Sequence, residues 1–149
     1  MQYINVTIEL LKTYSSSKSM KELLALAIWF KMQHSNSVIW NVTEYKLRKG
    51  LRIGRPKAQR LIRDMKESSL FSVEGNKVVV SSFRDHTTKW TRKGKEYRGG
   101  MVCKFEVKEY TMKELYNLIN EKLFVYPICA AAHKDCCLKA SDDGKVGAR

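Results

Sequence analysis

Apolar and polar positions recur at two different periods along this chain, and the switches between those periods lay out its elements. Tyr3 to Leu10 carries β-branched residues in near alternation and reads as a short strand or the start of a helix, interrupted by Ser15-Ser16-Ser17. Ser19-Met20-Lys21-Glu22 has the spacing of a capping box, in which the serine accepts from an early helical N–H and the glutamate reaches back. The helix it opens bears Leu23, Leu24, Leu26, Ala27, Ile28 and Phe30 and ends near Gln33 or His34. With so many apolar positions it is predicted to be the most buried helix. His34-Ser35-Asn36-Ser37 is a turn, and Val38-Ile39-Trp40 a small strand. Thr43 can cap a second helix over Glu44 to about Lys49, which Gly50 would stop. Gly54-Arg55-Pro56 starts a third helix, since proline is tolerated in a first turn. Its core face is predicted to be Ala58, Leu61, Ile62 and Met65, spaced three and four apart.

Leu70 to Val80 reads as strand, Gly75-Asn76 turn, strand. Past Phe83 the character changes. Arg84 to Gly100 is basic and polar, punctuated by Gly94, Gly99 and Gly100, and is expected to form a loop or a two-stranded arm. Met101 to Val107 alternates as a strand does, and Thr111-Met112-Lys113-Glu114 is a second capping box. It opens a helix to about Leu123, with Leu115, Leu118, Ile119 and Leu123 on one face. Pro127 ends regular structure, and the tail beyond it is expected to be flexible.

Composition adds one strong constraint. The 149 residues are 44% hydrophobic and 29% charged, the balance of a globular chain. The formal net charge is +13, which points to a polyanionic partner. Glu44 to Glu67 holds nine cations and three acids, and Arg84 to Lys108 holds eight and three. Those two stretches account for eleven of the thirteen excess charges, as a binding footprint would. Two solvated surface faces are the bland alternative. The Leu23–Phe30 run is far too short to span a bilayer, and no secretory leader is visible at Met1, so no membrane partner and a cytoplasmic setting, in a bacterial or host cell, are expected.

The segment from Lys46 through Leu47, Leu51, Ile53, Ala58, Leu61, Ile62 and Met65, followed by the leucine and phenylalanine that lead into the hairpin, resembles the helix-turn-helix of winged-helix DNA-binding proteins. The resemblance covers residues 20–83. It implies an α+β fold: a winged helix-turn-helix of three helices and a β-hairpin wing, with a basic arm and a C-terminal helix added. The corresponding domain reading is 1–83 for the winged helix, 84–110 for the arm, 111–128 for the last helix and 129–149 for the tail. Arg52 is a departure, since bacterial members often carry glycine at that point of the turn.

The resemblance also implies a recognition helix over Arg55 to Glu67, packed by one stripe and free on the other face for base edges and phosphates. Arginine pairs bidentately with guanine and glutamine with adenine. Arg55, Lys57, Gln59 and Arg60 are therefore the candidate base readers. Arg63 and Lys66, and Lys46, Arg48, Lys49 and Arg52 on the preceding helix and turn, are candidate phosphate contacts. Lys77 at the wing joins them, with Lys89, Arg92, Lys93, Lys95 and Arg98 on the arm. Trp90 and Tyr97 interleave with the arm's charges, which suits base stacking or, more plainly, aromatic pairing across a hairpin.

Cys129, His133, Cys136 and Cys137 make a zinc-compatible set, with Cys103 and His86 as distant candidates, but lack the paired knuckles of a structural zinc site. No metal and no cofactor are expected. No nucleotide-binding loop or nucleophile–base spacing is present, so no enzymatic activity is expected. The expected function is sequence-specific binding of double-stranded DNA, by a transcription regulator or replication-initiation factor, its character suiting a phage or mobile element. A homodimer through Met112–Leu123 would fit that role. An RNA or single-strand module, and a structural protein using a winged helix for protein contacts, are the rival classes.

Overall fold

A computed structural model describes residues 2–86, 90–97 and 101–125. The chain opens with strand β1 (Tyr3–Thr7) running directly into helix α1 (Ile8–Thr13). Thr7 is the joint: its backbone is extended and its hydroxyl accepts from the Leu10 N–H at 3.2 Å. Both readings of this stretch thus hold, one after the other. Helix α2 spans Lys18–Gln33, and every residue from Glu22 to Phe30 is buried. Its cap is Ser17, whose hydroxyl accepts from Met20 N at 3.2 Å. This corrects the expected capping box, because Glu22 faces the interior instead of turning back to the helix end.

Strand β2 (Val38–Trp40) leads to helix α3 (Glu44–Leu51), capped by Thr43 through Lys46 N at 3.2 Å. Gly50 does not stop this helix as expected. It lies inside the last turn, where an added Cβ would come within 2.3 Å of the Trp29 ring, so it permits close packing of α3 on α2. The stop falls at Arg52, in the left-handed region at φ 56°, ψ 54°. Arginine here adopts the conformation glycine would take without strain. Helix α4 (Arg55–Glu67) follows from Gly54, burying Ala58, Leu61 and Met65 while Ile62 stays at the edge.

Strands β3 (Phe71–Glu74) and β4 (Lys77–Val80) form the expected hairpin, with Gly75 at φ 58° in the turn. β2 joins β4 on its other side, giving an antiparallel sheet in the order β2-β4-β3, with Ile39 and Val73 flanking Val78. After a 3-10 turn at Phe83–His86, β5 (Trp90–Arg92) and β6 (Lys95–Tyr97) form a second hairpin. Its turn residues Lys93 and Gly94 both have positive φ, 54° and 78°, as tight two-residue hairpins require. β7 (Val102–Glu106) returns to pair antiparallel with β1, from Tyr3↔Glu106 to Thr7↔Val102.

Helix α5 (Met112–Val125) begins at the predicted capping box: Thr111 N donates to Glu114 Oε1 at 2.8 Å, and Glu114 N to Thr111 Oγ1 at 3.2 Å. The fold is α+β, with five α-helices and small antiparallel sheets among the described residues. Contacts divide the chain into units at 1–119 and 120–149, and α5 crosses that boundary. In the first unit α2 is the central rod, with Leu24, Leu26 and Ile28 fully enclosed. Leu47 and Leu51 of α3, Leu61 and Met65 of α4, and Leu10, Leu11, Leu70, Phe105 and Leu115 complete its largest fully buried side chains. Phe30 meets Phe71 edge-on at 6.2 Å, joining α2 to β3. No helix among the described residues is long and apolar enough to cross a membrane.

Candidate nucleic-acid interface

Helical spacing sorts the cations of α4 into two groups. Arg55, Gln59, Arg63 and Lys66 stand four, four and three residues apart, which sets them in one stripe. All four are exposed. Lys57, Arg60 and Asp64 share a different flank, the one that meets α2. There Lys57 Nζ lies 2.8 Å from Glu22 Oε2, and the Arg60 guanidinium pairs with Glu22 Oε1. Arg60 Nε also lies 3.8 Å from Asp64. The Glu22 side chain is only 2% exposed, against about a third for both cations. Lys57 and Arg60 were expected to face outward with the base readers. They turn inward because a carboxylate buried in an apolar helix must be paired, and these are the cations the packing brings to it.

A second carboxylate organises the outward stripe. Glu44, in the first turn of α3, accepts from Gln59 Nε2 at 3.1 Å and pairs with Arg55 Nε at 3.3 Å and Arg48 at 3.7 Å. A negative charge is favoured at that helix end. It also ties the two helices together at their surface, holding Arg55 and Gln59 side by side. Arg55 remains 69% exposed and Arg63 68%, so both stay open to solvent despite their ion pairs. Arg52 projects from the turn between α3 and α4 and is exposed.

Lys46 and Lys49 lie elsewhere. On α3, Glu44 and Arg48 border the buried Leu47–Leu51 stripe on the α4 side, while Lys46 and Gly50 border it on the other. Lys46 Nζ donates to the Trp40 carbonyl at 3.1 Å, and Lys49 Nζ sits 5.7 Å from the centre of the Tyr45 ring. Lys77 is half-buried and 3.8 Å from Glu74, across the hairpin turn. On the second hairpin Lys93 and Lys95 are exposed, and the register sets Trp90 opposite Tyr97. Lys89 and Arg98 lie outside the described residues, as does the side chain of Arg92. So do Cys129, His133, Cys136 and Cys137. Cys103 is buried in β7, and His86 Nε2 is 2.7 Å from Ser81 Oγ. No group of three or more histidine, cysteine or acidic side chains suited to a metal occurs among the described residues.

Sequence reasoning missed Glu22 and Glu44. Glu22 carried a usable signal, a lone acid at the head of an apolar run, but it also matched a capping pattern. Glu44 carried none, because its three partners come from positions four, eleven and fifteen residues away. Comparison with protein-family models, with curated proteins and with solved structures returned no match to this chain.

Proposed function

We propose that this protein binds double-stranded DNA sequence-specifically, with α2, α3, α4 and the β2-β4-β3 sheet acting as a winged helix and α4 as its recognition helix. The observation that carries the reading is the exposed Arg55-Gln59-Arg63-Lys66 stripe on α4, beside Arg48 and Arg52 on the preceding helix and turn. Arg55 and Gln59 sit at the N-terminal end of α4, where a helix entering a major groove meets base edges. Glu44 pre-positions both. Arg63, Lys66, Arg48 and Arg52 meet phosphate in this reading, with Lys77 at the wing and Lys93 and Lys95 on the second hairpin. Lys57 and Arg60 drop out as readers, because leaving Glu22 would strand a buried charge. Pairing of two copies through Met112–Leu123 is not part of the proposal, since Met112, Leu115 and Ile119 are already buried within one chain.

The biological role we propose is that of a transcription regulator or a replication-initiation factor, a binding protein without catalysis. Selection of bound sequences from a random duplex pool tests the reading. A defined motif should emerge with the wild type and lose information at two or three positions in Arg55→Ala and Gln59→Ala. Failure to enrich any motif, with binding equal on all duplexes, would sink the sequence-specific claim.

A further inference from the structure

A groove of about 340 Å³ opens between the C-terminal half of α2, β2 and α3, on the flank of α3 away from α4. Its floor is buried core: Trp29, Phe30 and Ile39. Its walls include two large aromatics left in water, Trp40 at 58% exposure and Tyr45 at 65%. Lys46 and Lys49 stand on the rim, and no carboxylate lines it. Neither lysine makes an ion pair among the described residues, in contrast to Arg55, Lys57 and Arg60. Lys46 spends one N–H on the Trp40 carbonyl and keeps two.

We propose that this groove binds an unpaired nucleotide of a single-stranded nucleic acid, its base stacked on Trp40 and Tyr45 and its phosphate held by Lys46 and Lys49. Uncompensated cations beside an acid-free groove select an anion. Exposed aromatic faces select a planar ring over a branched aliphatic side chain. Gln33 and His34 supply polar groups at the groove for the base edge. The net charge of +13 favours a phosphodiester chain over an acidic peptide as the source of that anion. The site is separate from the duplex-binding stripe, since the two occupy opposite flanks of α3, and it stands whether or not α4 reads duplex DNA.

The test is a titration of the full chain with labelled oligo(dT) and oligo(dA), at several salt concentrations, alongside a duplex of random sequence. Trp40→Ala and Tyr45→Ala should each weaken single-strand binding about tenfold. Lys46→Ala with Lys49→Ala should flatten the logarithmic salt dependence by about 1.4, the value for two single-strand phosphates. Arg55→Ala with Gln59→Ala should leave single-strand binding unchanged, which separates this proposal from the duplex reading. Because Trp40 and Tyr45 are exposed, their alanine variants should keep the wild-type melting temperature, and Trp40→Phe should retain most of the binding. Wild-type single-strand affinity in both alanine variants, or none in the wild type at low salt, would overturn the proposal. So would quenching of tryptophan fluorescence by a leucine-centred aspartate peptide but not by oligo(dT).

Discussion

Glu22 is a charged residue buried among the described residues, which makes it a point of energetic risk. Its carboxylate sits at the head of a buried apolar run and depends on Lys57 and Arg60 together. A buried ion pair adds little net stability, but removing its partners leaves an uncompensated charge. Lys57→Met with Arg60→Met should therefore cost about 3–5 kcal/mol by urea unfolding. Adding Glu22→Leu should recover much of that loss, and a triple variant no more stable than the double would refute the account. Substitutions on the outward stripe, Arg55→Ala or Gln59→Ala, should change stability by no more than about 0.5 kcal/mol. Arg52 poses the opposite case. At φ 56° it bears left-handed strain, so Arg52→Gly should stabilise by about 0.5–1 kcal/mol, the relief of strain exceeding glycine's entropy cost. The same variant should bind duplex DNA more weakly through loss of a cation, and a fall in stability would show that Arg52 is held by contacts worth more than its strain.

At the scale of elements, the helix ends obey local chemistry, and their pH response follows from it. The Glu114 carboxyl is held below the usual carboxylate range by the Thr111 N–H first, then by the Thr111 hydroxyl, with Lys108 and Arg52 adding to the effect. A carboxylate whose folded value is depressed stabilises the fold above its unfolded value, and that contribution is lost as pH falls through the folded one. Glu114→Gln should thus flatten the acid limb of the stability curve below the ordinary glutamate range while leaving the alkaline limb unaltered. Thermal melts across pH measure this, and parallel acid limbs in the two proteins would contradict it. Within α4 the element-scale prediction concerns charge. Arg63→Ala and Lys66→Ala should each reduce the logarithmic salt slope of duplex binding by about 0.9, whereas Lys57→Ala should not change it, since Glu22 already neutralises that lysine. Equal slopes for all three variants would mean the division of α4 into two flanks has no bearing on DNA.

At the scale of the whole molecule, two groups of cations among the described residues stand apart from each other. One is the α4 stripe with Arg48 and Arg52, and another is the aromatic groove with Lys46 and Lys49. Most of the element pattern was legible from sequence, because caps, turns and periodicity are set by neighbours a few residues apart. Thr43 and Thr111 cap the helices they were expected to cap, and Gly75 turns the hairpin as its φ demands. Strand β1 was half legible: alternation revealed it, but its partner β7 lies almost a hundred residues on, and no local signal links the two. The interface was legible only as a list of cations. Composition and spacing determined that α4 is basic and amphipathic and that the chain carries a large positive excess. The tertiary structure decided which of those cations remain available, because burial of Glu22 against α4 compels Lys57 and Arg60 to face inward, and only packing between helices brings them within reach.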